Sequence, residues 1–186
     1  MVEAVMFFEG LKPRPAFYGQ SSITEEIPTR ECLLAVDSGL RTGLALYDRR
    51  GRLLWWRSKH FGDRNSLKRA IRRLLAGHPG LSWVIVEGGG DLGDLWIREA
   101  SRFAIPAIVI SAEDWRETLL YQRERRRGVE AKRHALSLAR RVISWSRLPL
   151  PAALREDAAE AVLAGLWGLC RVGWIPGVPP EIRRNP

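Results

Sequence analysis

Leu33-Leu34-Ala35-Val36-Asp37-Ser38-Gly39-Leu40-Arg41-Thr42-Gly43-Leu44-Ala45 places two strand signatures around a carboxylate. An apolar run ends on Asp37, a short Ser-Gly turn follows, and a second apolar run opens at Thr42-Gly43. The pattern predicts a strand over Cys32–Asp37 and another over Thr42–Tyr47. Asp48-Arg49-Arg50-Gly51 then makes a hairpin turn into a third strand, Arg52–Lys59. A carboxylate ending a buried strand costs desolvation free energy unless a cation or hydrogen bonds compensate. Asp37 is therefore the first candidate functional residue, set against the plainer reading that Asp simply begins a turn.

Downstream, Leu67, Ile71, Leu74 and Leu75 recur at helical spacing and predict a helix from about Asn65 to Ala76, stopped by Gly77 and Pro79. A buried strand, Trp83–Glu87, again ends on an acid and runs into Gly88-Gly89-Gly90 and a helix over about Asp91–Phe103. Pro106–Ile110 reads as a short strand, residues 112–121 and Val129–Trp145 as helices, and about Leu154–Cys170 as the last helix after a Pro-rich break. That helix carries Asp157 and Glu160 three apart, hence on one face, among alanines that permit close approach to a sheet. The fold class is α/β, a mixed five-stranded sheet of three antiparallel hairpin-linked strands followed by parallel strands, flanked by helices. Residues 31–172 form this domain, 1–30 an N-terminal arm in which Phe7, Phe8, Phe17 and Tyr18 offer docking groups, and 173–186 an irregular tail.

Thirty Lys and Arg against 21 Asp and Glu give a net charge of +9, which favours a polyanionic partner, nucleic acid ahead of an anionic membrane surface. Ten of the basic residues fall between 115 and 147. Arg123, Arg125, Arg126, Arg127, Lys132 and Arg133 are the candidate phosphate contacts; a solvated helix face is the plainer reading. Trp115 and Tyr121 are candidates for stacking on bases, and the remaining tryptophans read as core or interface. Cys32 and Cys170 have neither disulfide-framework nor zinc spacing and read as buried free thiols. The absence of a signal-like start or an 18-residue apolar run leads us to expect a cytoplasmic, nucleoid-associated protein with no membrane partner.

Three acids at element ends, brought together, would repel, and a divalent cation is the usual remedy. Phosphodiester hydrolysis by two metal ions needs such a set. Asp37, Glu87, Asp157 and Glu160 are the expected ligands of two Mg²⁺ or Mn²⁺ ions.

The run Asp37-x-Gly39-x-x-Thr42-Gly43 after an apolar strand, with Glu87 ending the fourth strand and Asp157-Ala158-Ala159-Glu160-Ala161 on the last helix, resembles the RuvC-type Holliday-junction resolvases of the ribonuclease H-like superfamily. The likeness covers roughly residues 32–170. Ser38 stands where that family usually has Pro, Glu160 where Asp is common, and the glycine run where bacterial members place a bulky aromatic. The resemblance implies a ribonuclease H-like fold and a homodimer nicking two strands of a four-way DNA junction symmetrically. It also implies a lysine near the scissile phosphate, for which Lys132 is the candidate. The alternatives are an RNase H-like nuclease acting on RNA, RNA–DNA hybrid or flaps, and a non-catalytic nucleic-acid-binding module. Gly88-x-Gly90-x-x-Gly93 imitates a dinucleotide fingerprint, but too few strands follow it for a doubly wound sheet, so no small-molecule cofactor is expected.

Overall fold

The computed structural model describes residues 31–125 and 128–183; the arm 1–30, Arg126, Arg127 and residues 184–186 lie outside the described residues. Strands β1 (Cys32–Asp37), β2 (Arg41–Asp48), β3 (Leu53–His60), β4 (Leu81–Glu87) and β5 (Ala107–Ile110) form one sheet ordered β3-β2-β1-β4-β5. β1 pairs antiparallel with β2 and parallel with β4. β2 pairs antiparallel with β3, and β4 pairs parallel with β5. This is the expected ribonuclease H-like arrangement. The strands begin or end within two residues of their expected limits.

Helices α1 (Arg64–Ala76) and α2 (Gly90–Arg102) cover one face. Asp63 caps α1 by accepting from the backbone N–H groups of Asn65 and Ser66. The buried carboxylate of Glu99 ties the two helices together through Arg72 at 2.7 Å and Arg102 at 3.0 Å. The other face holds α3 (Ala112–Leu119), α5 (Gly128–Trp145) and α6 (Glu156–Arg171). A one-turn helix, α4 (Gln122–Arg125), occupies part of the segment expected to be a basic loop.

α6 is the central helix of that second layer, and its residues explain its seat. Ala158, Ala159, Ala161, Ala164, Gly165 and Gly168 are all buried. A Cβ at Gly165 would lie 2.3 Å from the Tyr47 ring, and one at Gly168 would lie 2.5 Å from Ile85. Only missing side chains let this helix press so far onto β1, β2 and β4. The buried Tyr47 hydroxyl donates to the Val162 carbonyl at 2.6 Å, bonding sheet to helix. Beyond α6 the tail has no helix or strand among the described residues, yet Ile182 is fully buried, and Trp174, Ile175 and Val178 pack on the same core. Cys32 is buried and Cys170 only partly so. No described helix is long and apolar enough to cross a membrane.

Candidate metal centre

The parallel pairing of β1 with β4 sets Asp37 directly beside Glu87. On its other side Asp37 is opposite Gly43 of β2. A Cβ on Gly43 would lie 1.8 Å from the Asp157 carbonyl oxygen, so the bare glycine is where the first turn of α6 rests on the sheet. The Thr42 hydroxyl closes the preceding turn by donating to the Gly39 carbonyl. The thirteen-residue opening motif therefore has a mechanical meaning: it places one acid and clears the seat for the helix that delivers the others.

Carboxylate oxygens of Asp37, Glu87 and Glu160 lie within 4.8 Å of one another. Burial, with the charges of Glu160 and Asp157, pushes Asp37 up to about 7 from an ordinary 3.8. Burial, with Glu160 and Asp37, pushes Glu87 up to about 8, against the opposing Trp115 hydrogen bond and Arg116 charge. Burial also raises Glu160, while Arg116 and Lys132 pull it down. Three hard oxygen donors that resist ionising together are a donor set suited to Mg²⁺ or Mn²⁺. Asp157 stands slightly apart from these three. Its carboxylate accepts from the Ser58 hydroxyl on β3 and from the Ala158 backbone N–H at 3.0 Å, and its charge still reaches Asp37.

Two residues of α3 complete the site, and the sequence reading missed the role of both. The Trp115 indole N–H donates to Glu87 Oε2 at 2.9 Å. Trp115 is fully buried, which corrects its assignment as a base-stacking group: an enclosed ring has no face to offer a base. Arg116 reaches Glu160 Oε1 at 3.2 Å, and its buried Nε has no hydrogen-bond partner. The available signal was positional. Ile110 of β5 pairs with Glu87, and the Ser111–Asp114 capping box starts α3 immediately after it. The helix following that strand must therefore begin at the carboxyl edge of the sheet, where sites in open α/β folds gather.

Lys132, exposed on α5, donates to Glu156 at 2.8 Å and lies close enough for Glu160 to influence it. Arg123 and Arg133 are exposed, with Arg123 stacked over Tyr121 at 5.5 Å.

Two solved structures share this architecture. RuvC of T. thermophilus in complex with a Holliday junction substrate aligns with a TM-score of 0.55 at 15% identity, over 77% of this chain and 96% of that one. A second Thermus thermophilus RuvC structure aligns with a TM-score of 0.54 at 15% identity, over 76% and 96% of the two chains. No protein-family model and no curated protein matches the chain. The likeness shows a RuvC-type, ribonuclease H-like fold.

Proposed function

We propose that this RuvC-type fold is a metal-dependent, structure-selective DNA endonuclease that resolves four-way junctions as a homodimer by paired symmetric nicking. The observation that carries the reading is the convergence of Asp37, Glu87 and Glu160 at the carboxyl edge of β1 and β4. Asp37, Glu87 and Glu160, with Asp157 beside them, would hold two Mg²⁺ or Mn²⁺ ions. Such ions supply an activated water and charge neutralisation on the leaving oxygen, giving 5′-phosphate and 3′-hydroxyl ends.

The chain's own residues set the conditions for that chemistry. Trp115 fixes the Glu87 carboxylate in one orientation and favours its ionised form. Arg116 offsets the surplus negative charge and carries a spare buried donor toward Glu160. Arg123, Lys132 and Arg133, together with Arg125, Arg126 and Arg127, supply the charge that would neutralise backbone phosphates. A four-way junction presents two equivalent strands, and a two-fold dimer would present two such sites to them.

The test is cleavage of a synthetic four-way junction, a linear duplex and an RNA–DNA hybrid in Mg²⁺ and in Ca²⁺. Paired nicking of the junction in Mg²⁺ is expected. Equal or faster cutting of the hybrid would refute junction specificity, and binding without cleavage in Mg²⁺ or Mn²⁺ would refute the nuclease.

A further inference from the structure

On the face away from the acids, a cleft of about 310 Å³ lies between α1, the end of β3 and α2. Its lining includes the apolar Phe61, Leu67, Ile71 and Leu74 and the cationic Arg69 and Arg73, with no carboxylate. Trp96 also lines it; this residue is 1% exposed, and its indole N–H is buried without a hydrogen-bond partner. An orphaned buried donor is costly, because its lost hydration goes uncompensated. An apolar floor, a cationic rim and an unused donor together call for an apolar ligand that carries acids and backbone acceptors.

We propose that this cleft receives the segment Val2–Leu11 of the same chain. That segment reads Val-Glu-Ala-Val-Met-Phe-Phe-Glu-Gly-Leu, with two acids, no base and two adjacent aromatics. Its charge and its apolar content complement the rim and the floor. The route is short. The chain enters the described domain at Glu31, and the next residue, Cys32, donates its N–H to the Gly80 carbonyl at 2.8 Å, just past the end of α1. α1 is about 20 Å long at 1.5 Å per residue. The residues between Leu11 and Glu31 span up to about 60 Å when extended, so reach is no obstacle. Phe7 and Phe8 fill the apolar floor, Glu3 and Glu9 face Arg69 and Arg73, and a backbone carbonyl accepts from Trp96.

The experiment uses the full chain with a photoreactive benzoylphenylalanine in place of Phe8, irradiated and mapped by mass spectrometry. Intramolecular adducts on residues 59–74 are expected. Ala70→Arg, at a half-buried position lining the cleft, should lower their yield at least tenfold, with its melting curve confirming that the variant folds. Adducts joining two chains would overturn the assignment in favour of a second copy as occupant. Adducts confined to other regions, or no adduct above that of denatured protein, would overturn it outright.

Discussion

The Trp115 indole N–H points at Glu87 Oε2 across 2.9 Å, inside the protein, and joins α3 to the end of β4. A hydrogen bond to a charged acceptor contributes roughly 1.5–3 kcal/mol, and this one opposes the burial that drives the Glu87 pKa upward. Trp115→Phe keeps most of the ring and removes the donor. It should lower cleavage about tenfold or more at neutral pH and move the alkaline-rising limb of the pH–rate profile to higher pH. An unshifted limb would disconnect Trp115 from the ionisation of Glu87.

Asp37→Asn should reduce cleavage at least about a thousandfold while leaving junction binding intact, because a ligand is lost and a repulsive charge disappears. The same change should raise the melting temperature of the metal-free protein at pH 8. Lost binding by a folded variant would count against the ligand role.

The two raised carboxyls also govern stability. Asp37 and Glu87 reach about 7 and about 8 in the fold, from ordinary values of 3.8 and 4.5. The fold thus holds these protons more tightly than the unfolded chain does. Their contribution to stability is full below about pH 4 and is lost as pH rises through 7 and 8. In EDTA the melting temperature should fall between about pH 6 and pH 9, and millimolar Mn²⁺ should recover it, since an ion bound only by the fold stabilises it. A metal-independent melting temperature at pH 8 would contradict the site.

Gly43→Ala tests the seat of α6. The added methyl would meet a backbone carbonyl at 1.8 Å, a contact that no side-chain rotation relieves. A loss of about 1–3 kcal/mol in stability is expected from overpacking, measured by urea denaturation, with a larger proportional loss of cleavage.

Arg123→Ala combined with Arg133→Ala should flatten the dependence of junction affinity on salt, by a slope of about 1 for each phosphate contact removed. The fold should be untouched, because both side chains are exposed. An unchanged slope would clear this part of α4 and α5 of phosphate contact.

What the sequence made legible follows from the range over which its signals act. Periodicity and turn chemistry are local, and they fix β1 to β3 and α1 almost to the residue. Asp37 and Glu87 were readable because an acid ending an apolar strand is conspicuous in one dimension. Trp115 and Arg116 were not, because their importance arises from the parallel pairing of β5 with β4, a relationship between segments more than twenty residues apart. The separation of Asp157 from the other acids was equally hidden. Two residues three apart on a helix face the same way, yet Ser58 of β3 holds one of them while the other meets Glu87.

Gly165 and Gly168 give α6 its depth, and Glu160 rides on the same rigid rod, two turns from Gly168. A methyl at Gly168 would act as a wedge under one end of a ruler, lifting a distant carboxylate that it never touches. Inactivating substitutions should therefore trace a line of glycines running away from the chemistry. A screen that scored only the acids would file those variants as simple misfolding, although their sheets would be whole.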